Sequence, residues 1–550
     1  MTRPVPKNPT PEFTLFLDHK TGIGVDETGK PVQPVIGGRR KYPNLGDLLD
    51  TARLSRATRI MLCHAPTGSD WLVPTAAQIQ RNIDPHPGWV ATNHYLADPP
   101  RGRFQHTDTG HRVTITVTAE WFGTADLTPI QAQFSHHILT DVIATAVDRP
   151  DWPLMRSPSA TGLNVWKKSF DKVRTFDMTP IDREIGELIQ ATEPQHRSEQ
   201  FTTGGRCTCD DCIPLLTTDT IPGFAYADGR FMYHGVARKL RGSAPARMLT
   251  GPQAEALFTS GTQTGEFHKG AFHPARYRVR YTISDWWDHL GCFPIKHTDR
   301  ARGWHWPNRA GFTGETWINA VELRTAIAEG FIGRVEFLDG IELTPTNSLE
   351  PFCNLIDKML KDLDSRLARH DIGAGAHTTV SSAVKHMFRV TLGSFSRRTR
   401  YTTKFAATAD AVAATAVGAV HPAANGGFTY QVPTPKAPDD DETFHPEIAA
   451  LVWGQARTRV LDYRRPGTTH HYGALQIDPN HLIGIQGDAI YTTHPQPWTY
   501  PTHLGGLDDG SNGRIRIKGY LPGPLSTPAS ITERHDLSKQ AEQHGWDDAR

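Results

Sequence analysis

The sequence predicts a mixed α/β (α+β) protein built from more than one lobe. Its 550 residues are too many for a single hydrophobic core. Stretches rich in β-branched residues, such as EFTLFLDHKTGIGV and HRVTITVTAEWFG, alternate along the chain with stretches of helical periodicity. With 38% hydrophobic and 21% charged residues, the composition is typical of a folded protein with many loops.

The first lobe is predicted to span residues 1–145. Its strand-like runs include TRIMLCH, and they lead to a helix over DLTPIQAQFSHHILTDVIATAV, with Thr128 near the cap and Pro129 in the first turn. Residues 146–220 hold a Pro-rich link, a helix over PIDREIGELIQAT and a loop that carries cysteines.

Five further segments follow. In 221–370, ETWINAVELRTAIAEGF is predicted as an amphipathic helix and RVEFLDGIEL as a strand. The helix TVSSAVKHMFRVTLGSF dominates 371–400, and the Ala-, Pro- and Asp-rich segment 401–444 is predicted as an insertion. A helix over HPEIAALVWGQARTRVLDYR opens 445–525, and 526–550 is predicted as a polar tail.

Composition also limits the function. No apolar run approaches the about 18 residues of a membrane span, and the N-terminal MTRPVPKNPTPEF lacks the apolar core of a secretory signal. We therefore expect a cytoplasmic protein with reduced thiols. The net charge of +1 means that any nucleic-acid surface must be local. The best basic cluster is Arg397, Arg398, Arg400 and Lys404, for which a solvated face is the alternative.

Two strand-like stretches, far apart in the chain, each end in a single aspartate. They are GFAYADGRFMYHG, with Asp228, and LIGIQGDAIYTTHP, with Asp488. Two carboxylates brought side by side would repel each other unless divalent cations lay between them, as in enzymes of phosphoryl transfer. Mg²⁺ is the cation that suits a few carboxylates plus substrate phosphates. The alternative for each residue is an ordinary turn or strand end.

Two basic elements accompany the aspartates. Lys385 and Arg389 lie four residues apart, on one face of a predicted helix, where they suit a triphosphate. Lys518 and Tyr520 alternate along the strand-like run GRIRIKGYLPGP and are predicted to share a face that suits a primer phosphate. The alternatives are a solvated helix face and an ordinary edge strand.

Taken in order, these elements resemble the motifs of family B DNA polymerases, most of all the protein-primed branch of phages and linear plasmids. The palm motif Asp-x-x-Ser-Leu-Tyr-Pro reads DGRFMYH from Asp228, and the finger motif Lys-x-x-x-Asn-x-x-Tyr-Gly reads KHMFRVTLG from Lys385. The motif Asp-Thr-Asp-Ser reads QGDA from Gln486, and Lys-x-Tyr reads KGY from Lys518. The resemblance covers roughly residues 150–525.

The resemblance implies a right-hand polymerase fold with palm and fingers, preceded by an RNase H-like exonuclease lobe. It implies a template-directed DNA polymerase of a phage, plasmid or other mobile element. Asp228 and Asp488 would bind two catalytic Mg²⁺ or Mn²⁺ ions, and Lys385 would hold the incoming dNTP. The partners would be a DNA template–primer, dNTPs and a terminal or priming protein, with no membrane.

Further roles follow from the same resemblance. Tyr233 would close the sugar pocket, and Lys518 and Tyr520 would hold the primer end. The sequence departs from the family at Gln486, Arg389 and Leu392, among other positions. These departures favour the alternative function, a catalytically weak or inactive polymerase fold that binds DNA; a metal-dependent nuclease is a third possibility.

The first lobe lacks the carboxylates of a proofreading site. The family's Asp-x-Glu reads Asp18 and Lys20 here, and Phe134 and Ile138 replace the later Tyr and Asp. A lysine repels the cation that it should help to bind. We therefore expect an exonuclease-like fold without proofreading; the alternative is an unrelated α/β lobe.

Three thiols, those of Cys207, Cys209 and Cys212, lie within six residues and could bind structural Zn²⁺. A fourth ligand could come from His196 or Cys292, and the alternative is a reduced polar loop.

The downstream stretch CFPIKHTDRARGWHWPNRAGFTGETW mixes aromatic and basic side chains and favours a template-side loop, with a well-packed loop as the alternative. Its aromatic and basic residues are Trp304, Trp306, Arg300, Arg302 and Arg309.

Overall fold

The computed structural model describes most of the chain. The described residues are 13–38, 41–64, 88–97, 100–124, 126–155, 157–170, 180–205, 207, 209–263, 274–297, 303–397, 401–406, 408–422, 427–433, 442–464 and 470–546. They form two compact units. The first unit combines Met1–Asp171, Asn354–Thr391 and Arg397–Asp440, and the second combines Lys172–Cys353, Leu392–Ser396 and Asp441–Arg550.

The strands are numbered along the chain. They are β1 (Thr14–Asp18), β2 (Gly24–Asp26), β3 (Pro31–Val32), β4 (Arg59–Cys63), β5 (Trp89–Ala97), β6 (Pro100–His106), β7 (Arg112–Val117), β8 (Ser198–Gln200), β9 (Thr220–Gly229), β10 (Ser243–Thr250), β11 (Ala275–Ile283), β12 (Ile295–Lys296), β13 (Trp304–His305), β14 (Thr313–Asn319), β15 (Ile332–Thr344), β16 (Tyr401–Ala406), β17 (Val417–Pro422), β18 (Phe428–Pro433), β19 (Tyr463–Arg464), β20 (His471–Tyr472), β21 (Leu482–Gln486), β22 (Ala489–Thr492) and β23 (Ile515–Ser526).

The α-helices are numbered in the same way. They are α1 (Leu45–Leu54), α2 (Thr118–Phe122), α3 (Pro129–Val147), α4 (Pro158–Ser169), α5 (Arg183–Thr192), α6 (Met232–Ala237), α7 (Gly251–Gln263), α8 (Ala320–Ala328), α9 (Glu350–Ala368), α10 (Ala374–Phe395), α11 (Pro446–Leu461) and α12 (Ile531–His544).

The first unit is built around a seven-stranded sheet of order β3-β2-β1-β4-β7-β6-β5. Strands β1, β4 and β7 run parallel to one another, and the outer pairs are antiparallel. Successive side chains of β1 alternate between the faces. Leu15 and Leu17 join the core cluster that contains residues of α1, whereas Phe16 meets the ring of His136 on α3 at 5.3 Å. Helices therefore cover both faces, which explains the unbroken apolar runs of β1 and β4.

The ends of α3 agree with the sequence prediction. Thr128 is the N-cap, its hydroxyl accepts from the Gln131 N–H, and Pro129 occupies the first turn. The Gln131 side chain accepts in return from the Thr128 N–H and completes a capping box. Asp148 ends the helix in the left-handed region, at φ 60°. The local cap chemistry is therefore consistent with the observed start of this helix.

The second unit contains a five-stranded sheet of order β23-β9-β22-β21-β8 and a four-stranded sheet of order β10-β15-β11-β14. Helix α11 is buried along almost its whole length, and its residues pack against α5, α6 and α8. The cluster around Ile341, Phe444 and Leu451 joins α11 to β10 and β15. This packing holds α11, β10 and β15 together. The five-stranded sheet, which carries the candidate site, has a cluster of its own around Phe224, Ile483 and Tyr491.

One predicted helix is partly wrong. Within ETWINAVELRTAIAEGF, the residues up to Asn319 form β14, and α8 begins only at Ala320. Trp317 and Ile318 pair with residues of β11, and Asn319 with Glu322 forms the capping box that starts the helix. Tertiary pairing therefore overrides the apolar spacing that suggested one helix.

The segment 526–550, predicted as a polar tail, is largely helical and packs against the five-stranded sheet. Most of it forms α12, which begins at the N-cap Ser530 and packs against β23 and β9. Arg534 and Ala541 on this helix are fully buried. A charged residue that is buried in this way needs partners on the sheet, and these are described below.

Candidate active site

The five-stranded sheet brings the two predicted aspartates together. In the antiparallel register of β9 and β22, Ala227 faces Ile490 and Tyr226 faces Tyr491. Asp228 is the next residue of β9, and Asp488 lies in the two-residue turn that precedes β22. The two carboxylates consequently lie at the same end of neighbouring strands.

Gly229 marks how closely the strands approach. A Cβ atom added there would lie only 2.5 Å from Oδ2 of Asp488 and 2.8 Å from Cβ of Met232. Gly487, the other residue of the turn, has a φ of 62°, a value that favours glycine. Two glycines therefore permit the placement of Asp488 next to β9.

The electrostatic surroundings of Asp228 are mixed. Burial raises the pKa of this carboxyl, and Glu542 adds to that effect, whereas the cations of Lys518 and Arg516 and the N–H of Gly229 oppose it. The net direction is upward from 3.8. A partly buried carboxylate with a raised pKa gains from a bound cation, which favours its charged form.

The pKa values of two neighbouring tyrosines are influenced by both carboxylates. The rings of Tyr226 and Tyr491 stack at 5.4 Å on adjacent strands. Burial raises the pKa of Tyr491 to about 12, and Asp228 and Asp488 contribute to the increase. Burial also raises the pKa of Tyr226, again with contributions from both aspartates. The two negative charges thus act on one place in the sheet.

The predicted pair Lys518 and Tyr520 lies on β23, beside β9. A bulge interrupts the register, because Ile517 pairs with Ala227 and Gly519 pairs with Tyr226. Lys518 Nζ pairs with Glu542 on α12 at 2.7 Å.

The predicted common face for Lys518 and Tyr520 is wrong, because the bulge breaks the alternation on which it depended. A Cβ atom at Gly519 would meet the carbonyl of Ala541, so α12 covers the face of Gly519. Tyr520 is the next residue of β23, and its hydroxyl lies beside Gly223 on the opposite face.

Tyr233 lies on α6, directly after β9. Its hydroxyl would be 3.8 Å from a Cβ atom at Gly487, in the turn that carries Asp488. Phe231 precedes the helix at a φ of 44° and stacks on His234 at 4.7 Å. The backbone at Phe231 is therefore in the left-handed region where it turns from the strand into the helix.

Lys385 and Arg389 belong to the first unit. They lie one turn apart on α10, and both side chains are exposed. Leu392, which stands where the finger motif has tyrosine, is buried.

Gln486, which stands where the third motif has its first aspartate, accepts a hydrogen bond from an arginine side chain. Its Oε1 accepts from Arg534 of α12 at 3.2 Å. The same guanidinium donates to the carbonyl of Glu199 and lies 4.7 Å from the ring centre of Tyr491. The sequence alone gave no sign of this helix–sheet contact, because the two residues are 48 positions apart.

The cysteine loop forms a second candidate site. Cys207 Sγ lies 3.2 Å from Nε2 of His297, and Cys209 Sγ lies 3.1 Å from Nδ1 of His305. Cys212 Sγ lies 3.2 Å from that of Cys209. The fourth ligand predicted at His196 or Cys292 is wrong, because the structure brings the histidines of β13 and of the residue after β12 to the thiols instead.

Trp306 and Arg309, two of the aromatic and basic residues predicted to form a template-side loop, have partners within the protein. Trp306 is buried, with the guanidinium of Arg197 5.1 Å from its ring centre, so it does not offer a surface to a base. Arg309 donates to the carbonyl of Asp210. Arg300 and Arg302 lie outside the described residues, as do Arg398 and Arg400 of the basic cluster. Packing, the alternative interpretation, therefore accounts for Trp306 and Arg309.

In the first unit, Asp18 ends β1 next to Cys63 of β4. Burial raises its pKa, but hydrogen bonds from His64 and Thr21 outweigh that effect and lower it. His64 Nδ1 lies 3.0 Å from Oδ2 of Asp18. Lys20 is exposed, as is Phe134, whereas Ile138 is buried.

Comparison with known proteins identifies the fold. No family model and no curated protein matches the chain. Among solved structures, the chain is similar in fold to the orthorhombic crystal form of Phi29 DNA polymerase, with a TM-score of 0.51 and 10% identity. The match covers 87% of this chain and 78% of that chain. A ternary complex of Phi29 DNA polymerase with primer-template DNA and incoming nucleotide substrates gives a TM-score of 0.51 and 9% identity, covering 94% and 85%.

The chain thus has a Phi29 DNA polymerase-like fold, and the predicted polymerase resemblance is confirmed at that level. The equivalence of the individual motifs stays a prediction. Among the described residues, no helix is both long and apolar enough to cross a membrane.

Proposed function

We propose that this protein is a template-directed DNA polymerase of a phage, plasmid or other mobile element. It would transfer a nucleotide from a dNTP to the 3′ end of a DNA primer. The single observation that carries the proposal is the placement of Asp228 and Asp488 at one end of neighbouring strands. The Phi29 polymerase-like fold supports it independently.

The residues at this sheet end fit divalent cations. Asp228 and Asp488 supply hard oxygen ligands, and both side chains are only partly buried. Bound Mg²⁺ or Mn²⁺ would neutralise charge on the reacting phosphate and orient its oxygens. Gln486 contributes no third carboxylate, since it carries a neutral amide that accepts from Arg534.

The other predicted residues, except Tyr520, receive roles in the same proposal. Tyr233, whose hydroxyl lies near the Gly487 turn, limits the space beside the sugar of the dNTP. Lys518 acts on Asp228 electrostatically and would also meet the primer backbone, whereas Tyr520 faces the other side of β23 and receives no role in this proposal. Lys385 and Arg389 remain the candidates for binding the triphosphate, because both are exposed cations one turn apart on α10.

The division into palm, fingers and an exonuclease-like lobe belongs to the proposal as well. The core order β3-β2-β1-β4-β7, with three antiparallel strands followed by two parallel ones, supports an RNase H-like first lobe. The five-stranded sheet would be the palm, and α10 would belong to the fingers.

We also propose that this polymerase lacks proofreading. Asp18 is engaged by His64 and Thr21, and the side chain at position 20 is an exposed lysine. A two-metal nuclease site needs several carboxylates. A primer with a labelled, mismatched 3′ end should therefore stay intact when it is incubated with the protein and Mg²⁺; progressive shortening would contradict this.

Primer extension tests the main proposal. The wild type should extend a labelled primer with Mg²⁺ or Mn²⁺, and Asp228→Asn and Asp488→Asn should not. Asp536→Asn removes an exposed carboxylate of α12 and is the matched control, which should extend normally. Extension that is unaffected in both active-site variants would overturn the assignment.

One observation favours a second function. Where the family has an aspartate, the chain has Gln486, bound to the buried cation of Arg534. A polymerase fold that binds DNA with little or no catalysis would tolerate this exchange. Equal DNA binding without extension by the wild type and both asparagine variants would select this alternative, and loss of labelled primer ends would select a nuclease.

A further inference from the structure

The strongest cluster outside the proposed polymerase site is formed by thiols and imidazoles. Cys207, Cys209, His297 and His305 each offer one ligand atom, and these four atoms all lie within 4.8 Å of one another. They come from two segments that are far apart in sequence. One is the loop before β9, and the other is the pair β12–β13.

The spacing of the ligand atoms suits a single small cation. Zinc bonds of about 2.0–2.3 Å in a tetrahedral arrangement place the ligand atoms about 3.3–3.8 Å apart. Here Cys207 Sγ and Cys209 Sγ are 3.2 Å apart, and the two sulfur–nitrogen contacts are 3.2 and 3.1 Å. The ring centres of His297 and His305 lie 3.9 Å apart. Because all four ligand atoms lie within 4.8 Å of one another, one ion can bind all four groups.

We infer that this cluster is a structural Zn²⁺ site with two thiolate and two imidazole ligands. Thiolate and imidazole are the ligands that zinc prefers, and four protein ligands close the site against a reacting water. Magnesium would not compete here, because it prefers oxygen ligands. The site is therefore separate from the proposed Mg²⁺ site, and its existence does not depend on polymerase activity.

Cys212 lies beside the site without completing the set of four. Its sulfur is 3.2 Å from that of Cys209 but 3.9 Å from Nδ1 of His305, and its side chain is buried against the carbonyl of Trp306. The sequence expectation counted Cys212 among the possible ligands; in the structure His297 and His305 join Cys207 and Cys209 instead, and we assign Cys212 no bond to the metal. This assignment makes Cys212 a useful internal comparison.

The zinc would connect two parts of the second unit. The cysteine loop leads from β8 into β9, the strand of Asp228. Asn308, which follows β13, already binds this loop through the N–H and the carbonyl of Ile213. A metal at the cysteines would fix the same loop to β12–β13 by bonds much stronger than these hydrogen bonds.

Metal analysis of the full-length protein tests the inference. After exhaustive dialysis, inductively coupled plasma mass spectrometry should find one zinc per chain. Cys209→Ser and His305→Gln should lose the zinc. Cys212→Ser, and Cys292→Ser as a buried cysteine outside the site, should retain it. Zinc absent from the wild type, or loss on Cys212→Ser with retention on His305→Gln, would overturn the ligand assignment.

A second measurement remains informative if a variant fails to fold. Wild-type protein reloaded with Co²⁺ should show a thiolate-to-cobalt charge-transfer band and the intense visible absorption of a tetrahedral site. X-ray absorption of the zinc form should fit two sulfur and two nitrogen neighbours. Weak octahedral cobalt absorption, or an oxygen-only shell, would contradict the site.

Discussion

At the scale of single residues, the candidate active site depends on side chains that are absent as much as on those that are present. Gly229 leaves the space that the Asp488 carboxylate occupies, and Gly487 provides the backbone turn that directs it there. Asp228 contributes a negative charge, whereas Gly229 and Gly487 provide the steric space and the backbone conformation that Asp488 needs. The pattern of aspartates in the sequence revealed only the first of these contributions.

Gly229→Ala should slow primer extension by about 10²-fold without unfolding the protein. The new methyl group would start 2.5 Å from Oδ2 of Asp488 and must displace that carboxylate. A shift of about 1 Å at a reacting centre costs about 10²-fold in rate. Primer-extension rates measure the loss, and circular dichroism checks the fold. Gly373→Ala, where an added Cβ meets nothing within 4 Å, is the matched control, and equal rates for both variants would refute the expectation.

Asp228→Asn should raise the melting temperature at neutral pH without added divalent metal. Burial raises the pKa of Asp228 above 3.8, so the folded state holds the charged carboxylate at a cost. That cost is fully present above the raised pKa and disappears as the pH falls below the ordinary value, where the carboxyl is protonated in both states.

Thermal melts of the wild type and Asp228→Asn, from neutral pH to about pH 4, measure this difference. The stabilisation by the asparagine should shrink steadily as the pH falls. A difference that is constant over the range, or a variant less stable at neutral pH, would show that folding does not raise the pKa of Asp228.

At the scale of elements, α12 changes how the five-stranded sheet must be understood. The helix covers the face on which Gly519 and Tyr226 lie, and Asp228 shares that face with Arg516. Glu542, near its end, pairs with Lys518, the residue proposed to meet the primer. A carboxylate of the chain thus occupies the place proposed for a primer phosphate.

Glu542→Gln should therefore increase primer binding. Removing the carboxylate frees Lys518 for the DNA backbone, whereas the lost ion pair is half-exposed and contributes at most about 1 kcal/mol to stability. Fluorescence anisotropy with labelled primer–template measures the affinity, and Asp536→Asn on the same helix is the control. Unchanged or weaker binding by Glu542→Gln would show that Lys518 does not contact DNA.

The sequence predicted those elements whose signals are local. The cap at Thr128 and Pro129 gave the start of α3, and the apolar runs of β1 and β4 gave two central strands. The sequence-based prediction failed where contacts with residues far away in the sequence determine the local structure. Trp317 is in a strand because β11 lies beside it, and the imidazoles of His297 and His305 reach thiols about ninety residues earlier. The exchange of aspartate for Gln486 was visible, but the cation that binds it was not.

At the scale of the whole molecule, a buried ionic network connects the elements of the second unit. Arg457 on α11 donates to Glu193 and to Glu322, and Arg276 on β11 pairs with Glu193 as well. All four side chains are almost completely buried. The network spans the end of α5, β11, α8 and α11, so it fixes how these elements meet.

Arg457→Met should destabilise the protein by about 3–5 kcal/mol, because it leaves buried carboxylates without their main cation. Urea denaturation of the full-length variant should therefore give a lower midpoint for unfolding of the second unit. Arg183→Met removes an exposed partner of Glu187 and should change the midpoint very little. A loss below about 1 kcal/mol for Arg457→Met would mean that the network is replaceable by packing.

The alternation of the two units along the chain has a practical consequence for dissecting this protein. Each unit is assembled from three separate stretches, and α9 and α10 both cross from one unit to the other. A single cut at any bond therefore leaves at least one unit without some of its own chain. Genetic separation of the two units would require circular permutation or designed linkers, because every fragment made by a single truncation carries part of one unit without the rest of it.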